Sequence, residues 1–208
     1  MFRSASVYVS LFALLFFATA TAATAATTAT LASGDKAPGF TLTDTEGTEY
    51  SLQTFLDDGK TVVLEWFNPD CPFIKKHHAS HKTMNETFAA VKEDGVVWLA
   101  INSGAKGKEG NGLERNKKAV KEYEIPFPVL VDESGEVGRA YGAKTTPHMF
   151  IITPDGDVAY NGAIDDDRSA AKLGKTNYVV IALKALREGK KIETPETPAY
   201  GCGVKYGH

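Results

Sequence analysis

Apolar positions along this chain alternate between two rhythms. Thr61 to Phe67 (TVVLEWF) is β-branched, aromatic and apolar except for Glu65, which predicts a strand buried on both faces. Gly95 to Asn102 (GVVWLAIN) predicts a second strand, and Phe127 to Val131, around Pro128, a third. Between the first two, Ile74, His77, Thr83 or Met84, Phe88 and Val91 recur at roughly helical spacing, so one long helix is predicted from Phe73 to Glu93, stopped by Gly95. Leu113 to Tyr123 predicts the next helix. Further along come a short helix at Glu136 to Tyr141, a hairpin of Met149 to Ile152 and Val158 to Tyr160 around PDGD, and a closing helix at Asn177 to Glu188. Ahead of this series, Gly34 to Thr48 reads as an edge strand with a turn and Ser51 to Phe55 as a short helix. Strands and helices alternate first and an antiparallel pair follows, the order of an α/β domain.

Arg3, the apolar run Val7 to Phe17 and the small residues of ATATAATAATTAT follow the order of an export signal, which sets residues 1–23 apart as a leader. The run is about half of the ~20 residues that span a bilayer, so no membrane anchor is expected. The predicted location is outside the cytoplasm, periplasmic or secreted. What remains divides into one domain over 34–192 and a C-terminal tail over 193–208. With a formal charge of -3 and 43% hydrophobic residues, the chain suits an ordinary globular core. The Lys-rich stretch GKEGNGLERNKKAVK is interleaved with glutamates and reads as a solvated helix face, so nucleic acid is not an expected partner.

The chain has 2 cysteines, Cys71 and Cys202. A single structural bridge is one reading, since exported proteins tolerate disulfides. The surroundings of Cys71 favour another. It follows a buried strand and precedes Pro72, which suits the first helical position because its missing N–H costs nothing there. The first turn of a helix favours a thiolate, the nucleophilic form of cysteine.

EWFNPDCPF, GVVWLAINS, TTPHMFIITPDGDVAYNGAIDD and YGCGVKY together resemble the redoxin branch of the thioredoxin superfamily. The likeness runs from about Ala37 to Tyr206 and is closest to the peroxiredoxin-like proteins grouped with the alkyl hydroperoxide reductase and thiol-specific antioxidant family. It implies an α/β, thioredoxin-like fold with a central mixed sheet flanked by helices, and thiol redox chemistry with Cys71 attacking. Thr146 and Pro147 would form the cis-proline loop beside Cys71 and offer backbone groups to an extended substrate. The departures are specific. Ile74 stands where a thioredoxin has its second cysteine, and Asn68 and Leu64 stand where a peroxiredoxin has threonine or serine and proline. The arginine of that family is missing too, with Lys144 and His148 the nearest basic residues.

These residues predict a peroxiredoxin-like thiol oxidoreductase acting on peroxides or protein disulfides, fed by a thiol donor and needing no cofactor. Cys202 either resolves Cys71 or tethers the tail. Trp66 and Phe73 are expected to shield the sulfur. The alternative is a binding module, a redoxin scaffold that has lost turnover and holds a metal ion or a partner protein. His77 and His81, at i and i+4, with His148 and Cys71, would be its metal ligands, but histidines flanked by Lys75, Lys76 and Lys82 read better as an exposed helix face. Asn85-Glu86-Thr87 matches a glycosylation sequon and Asp165 to Asp167 an acidic turn; neither is assigned a role.

Overall fold

The computed structural model describes residues 30–207; the leader assigned to residues 1–23 lies outside them. The centre is a seven-stranded mixed sheet. Its strands are β1 (Thr41–Asp44), β2 (Glu49–Ser51), β3 (Thr61–Trp66), β4 (Val96–Asn102), β5 (Val129–Val131), β7 (Met149–Ile152) and β8 (Val158–Gly162), with β6 (Thr145–Thr146) outside it. The order across the sheet is β2-β1-β5-β4-β3-β7-β8. β3, β4 and β5 run parallel, as helical crossovers require, and the rest pair antiparallel. The strand expected at the sheet edge near residue 41 is interior instead. It forms a hairpin with β2, whose three residues are too few to stand out in the sequence, and β2 becomes the edge.

β3 sits between β4 and β7 and is covered on both faces, which its β-branched run anticipates. Alternate residues face opposite layers. Val63 and Phe67 join a core with Cys71, Ile74, Met84, Trp98 and the helix α6 (Tyr178–Arg187), while Val62, Leu64 and Trp66 join one with Leu52, Tyr141 and Phe150. The second face is roofed by α1 (Leu52–Asp57) and α5 (Glu136–Tyr141).

The long helix predicted from Phe73 to Glu93 is broken. Helix α2 (Pro72–Lys75) passes into a π turn at Lys76–Ser80, the helical run is interrupted at Lys82 with φ 50, and α3 (Thr83–Val91) starts afresh. A π turn inserts residues without ending the helix and rotates the side chains that follow. Lys76, His77 and His78 therefore turn inward, at 1%, 0% and 0% exposure, where an exposed face was expected. The sequence signal missed this because lysine and histidine look polar whichever way the helix is phased.

After α6 the chain runs beside β8: Asn161 N donates to Pro195 O at 3.0 Å and Thr197 N to Asn161 O at 3.0 Å. Tyr200 then enters the core, and β9 (Cys202–Gly203) pairs antiparallel with β6. Among the described residues no helix is long and apolar enough to cross a membrane.

Candidate active site

Cys71 caps α2 with extended backbone (φ -68, ψ 127), and Pro72 takes the first helical position. The preceding loop is fixed by its own polar groups. Asn68 Oδ1 accepts from Asp70 N at 2.9 Å, Cys71 N donates to Asn68 O at 3.1 Å, and Asn68 Nδ2 donates to Glu109 O at 3.2 Å. Gly110 makes this approach possible, since a Cβ there would fall 1.9 Å from Asn68 Oδ1 and its φ is +74.

Helix α4 (Leu113–Glu122) secures the loop from the side. Arg115 donates from Nε and Nη2 to Asp70 Oδ1 at 3.0 and 2.7 Å and from Nη2 to Pro69 O at 3.3 Å, while the Tyr123 hydroxyl donates to Pro69 O at 2.8 Å. The stretch read as a solvated helix face thus holds one residue that faces the site. The guanidinium of Arg115, unlike the ammonium groups of Lys117 and Lys118, is suited to such forked contacts, but its partner Asp70 lies 45 positions away.

The Cys71 thiol is fully buried, donates to Thr146 O at 3.0 Å, and lies 2.7 Å from Cys202 Sγ. Both thiols are free. A displacement of under an ångström separates them from the disulfide bond length of about 2.05 Å. Thr146 is joined to Pro147 by a cis bond, so the expected cis-proline loop and both cysteines meet at one point. Ile74, at the position where a thioredoxin has its second cysteine, is buried in the core; the second sulfur comes from the tail instead. Burial, the hydrogen bond with Cys71 and the nearby Cys71 and Glu109 push the Cys202 thiol up to about 12, against a weaker pull from Lys205.

The tail is anchored on both sides of Cys202. On one side the Tyr200 hydroxyl donates to Asp165 Oδ1 and accepts from Lys76 Nζ at 3.3 Å and from His77 Nε2 at 3.0 Å. Lys76 also donates to Asp167 O at 2.7 Å and lies 3.6 Å from Asp165 Oδ1, with both side chains almost wholly buried. On the other side, Tyr206 donates to Ala143 O at 2.9 Å beneath the Arg139 guanidinium, which is 4.8 Å from its ring centre. Buried charges persist only where paired and hydrogen-bonded, so the Lys76, Asp165 and Tyr200 set is a specific lock.

The other sequence candidates disperse. Trp66 faces the opposite layer and donates to Ser103 Oγ at 3.1 Å, so it does not shield Cys71. Phe73 does lie close by, edge-on to Tyr200 with ring centres 5.8 Å apart. Among the described residues the four histidines point to four different partners: His77 to Tyr200, His78 to Glu65 Oε1 at 2.6 Å, His81 to Ala171 O at 3.1 Å and His148 to Asn161 Oδ1 at 2.6 Å. Burial lowers His77 to about 3, with Asp165 opposing, and lowers His148 to about 4, so both are neutral in the folded chain at pH 7. Lys144 is exposed. Asn85 donates to Tyr123 O at 3.0 Å and to Glu124 O at 2.8 Å, which occupies the amide of the sequon. Asp165 is engaged in the tail lock, and its Oδ2 accepts from Gly174 N at 2.7 Å. Glu65, the one polar residue of β3, is wholly buried and takes Trp98 Nε1 at 3.2 Å as well as His78; its interruption of an apolar run was the visible signal of a polar network behind Cys71.

A strand, a cysteine-proline helix start, a cis-proline loop and two adjoining thiols together define a thioredoxin-like protein with a dithiol site. The chain belongs to the AhpC/TSA family, whose pattern matches residues 33–161. The thiol-disulfide oxidoreductase ResA of Bacillus thuringiensis is 34% identical over 125 residues, 60% of this chain and 66% of the relative. An uncharacterized conserved protein from Geobacillus kaustophilus is 31% identical, with a TM-score of 0.74 over 85% of this chain and 93% of its own. A candidate thiol:disulfide interchange protein DsbE from Chlorobium tepidum is 26% identical, with a TM-score of 0.57 over 77% of this chain and 98% of its own.

Proposed function

We propose that the protein is a thiol-disulfide oxidoreductase in which Cys71 and Cys202 form the redox pair. The observation that carries this reading is the 2.7 Å approach of the two sulfurs at the cis-proline loop. Cys71 attacks one sulfur of a protein disulfide, and Cys202 then attacks Cys71 to release the client and close the internal bond. Roles divide because Cys202, pushed up to about 12, keeps its proton until it acts as the resolving thiol.

Protein disulfides suit the site better than peroxide. Asn68 supplies no hydroxyl to orient a peroxide, and its amide is committed to Asp70 and Glu109. The relatives named for thiol-disulfide oxidoreduction and interchange support the same substrate class. Proximity of the thiols speaks against a scaffold without turnover. Export by the leader would place the pair where disulfides are made and exchanged. The test is a single turnover with a protein disulfide, using the reduced full chain and its Cys202→Ser variant. Wild type should release reduced client and end as the internal disulfide, while the variant should accumulate a Cys71-linked adduct. Free thiols in wild type after incubation, with no reduced client, would contradict the reading.

A further inference from the structure

The loop of residues 103–112, between β4 and α4, touches both halves of the dithiol site. On the scaffold side Asn68 Nδ2 donates to Glu109 O at 3.2 Å, and on the tail side Ala105 N donates to Lys205 O at 2.8 Å. Asn102 Nδ2 donates to Gly110 O at 2.8 Å, so backbone groups hold the loop in place. The side chains then make one more link, from Glu109 Oε2 to Lys205 Nζ at 3.4 Å, on the tail just past Cys202. Both partners are partly exposed, at 50% and 35%, and an ion pair so placed adds little to stability. What it does is set one charge of each sign beside the resolving thiol. In the reduced chain burial and the Cys71 thiol push Cys202 up most, followed by Glu109, with Lys205 opposing. Once Cys71 is tied in a mixed disulfide its thiol is gone, and the charges left facing Cys202 are those of Glu109 and Lys205. The other charged groups around the tail are committed or exposed. Lys76 and Asp165 meet each other and the Tyr200 hydroxyl, while Lys106, Lys108 and Lys144 lie open to solvent.

We propose that Glu109 and Lys205 are opposed positioning residues for the resolving step, the carboxylate holding Cys202 as a thiol and the ammonium favouring its thiolate, so that the balance of this pair sets how fast Cys202 attacks Cys71. This rests on Cys71 and Cys202 being the redox pair and adds what governs the second half of the turnover. In that half Cys202 gives its proton to water and the thiolate attacks Cys71 Sγ. The bond from Cys71 to the client sulfur breaks, the Cys71–Cys202 bond forms, and the client sulfur leaves as a thiolate that takes up a proton. Two electrons have then passed from the pair to the client. Both charges act through space, so neither side chain has to touch the sulfur. An exposed charge can change the thiolate population about threefold, which becomes about twofold in rate because a less basic thiolate is also a weaker nucleophile. Salt screens such charges, so the effect is largest at low ionic strength.

The experiment uses the full chain and its Glu109→Gln and Lys205→Gln variants, with dithiodipyridine as an uncharged disulfide probe. Each reduced protein is mixed with equimolar probe at about pH 5, where Cys202 stays protonated and resolves slowly, and the Cys71 adduct is confirmed by peptide mass. A jump to about pH 7 then starts resolution, read as the absorbance of the thiopyridone released when Cys202 attacks. Glu109→Gln should speed this release about twofold and Lys205→Gln should slow it about twofold, and high salt should draw the three rates together. Both substitutions break the same ion pair, so a purely structural role would move both rates the same way. A shared direction, reversed signs or unchanged rates would overturn the proposal while leaving the redox pair intact. Absence of a Cys71 adduct in the native wild type, with labelling of the unfolded chain, or an adduct that never yields the internal Cys71–Cys202 link, would overturn the redox reading and this proposal together.

Discussion

Cys71 stands at the junction of a central strand and a helix, whereas Cys202 stands in a two-residue strand near the end of the chain. The first is held by backbone that the whole sheet requires. The second is held by a two-residue strand pairing with β6 and by side chains on either side of it, the Tyr200 lock and the Tyr206 clamp, with glycine at both its neighbours. One sulfur therefore belongs to the scaffold and the other to a removable part. A thioredoxin-like CxxC site keeps both sulfurs on one helix; here one sulfur is on the helix start and the other on the tail.

The sharpest way to break the comparison is to remove each sulfur. Cys71→Ser should reduce disulfide exchange to the uncatalysed rate, and Cys202→Ser should retain the first attack and lose multiple turnover, both read by insulin-type reduction and adduct mass. Equal loss of the first attack in both variants would erase the distinction between scaffold and removable sulfur.

Acid should test both sides next. His77 lies in the tail lock, and His148 follows the cis-proline on the scaffold side, where its Nδ1 accepts from Lys144 N at 3.2 Å. Above pH about 6.5 both histidines are neutral folded and unfolded, so the stability tied to them is complete. As pH falls through 6.5 the unfolded chain takes up protons that burial denies the folded one until about 4 for His148 and about 3 for His77. Stability is lost through that window, by about 3 kcal/mol for His148 alone. Denaturant unfolding at pH 7 and pH 4 should show the loss, and His148→Gln should remove about that much of it; an unchanged pH slope would refute the assignment.

Two smaller effects separate the anchors. Tyr200→Phe leaves Lys76 and Asp165 without their shared hydroxyl and should cost about 2 kcal/mol, the penalty for stranding a buried polar partner. Hydrogen exchange at Gly201 to Gly203 should quicken, with β3 unaffected. Arg115→Ala loosens the Asp70 loop from a partly exposed ion pair and should cost about 1 kcal/mol. It should slow the first attack by Cys71 without quickening exchange in the tail; the converse pattern would mean that the two halves of the site are not independently held.

The scaffold half was legible in the sequence and the removable half only in outline. TVVLEWF followed by NPDCP carries strand, loop and helix start in consecutive residues, and TTP marks the loop that faces them. β6 and β9, at 2 residues each, have no period to detect. Cys202 stood out because it is the second of 2 cysteines, and Tyr200 and Tyr206 because aromatic residues in a Gly- and Pro-rich tail suggest docking. The buried lock could not be read, since the π turn at Lys76–Ser80 sends Lys76 and His77 inward against the ordinary phase of the helix. Arg115 was hidden for a simpler reason: its pairing with Asp70 spans 45 positions, and nothing local records it.

The most direct test of the paired-thiol account is redox equilibration of the full chain against graded ratios of reduced and oxidised dithiothreitol, followed by alkylation and mass mapping. One two-electron transition is expected, in which Cys71 and Cys202 lose their alkylation together and their peptides become linked, a transition missing from either serine variant. Independent alkylation of the two cysteines at every ratio, with no linked peptide, would contradict it.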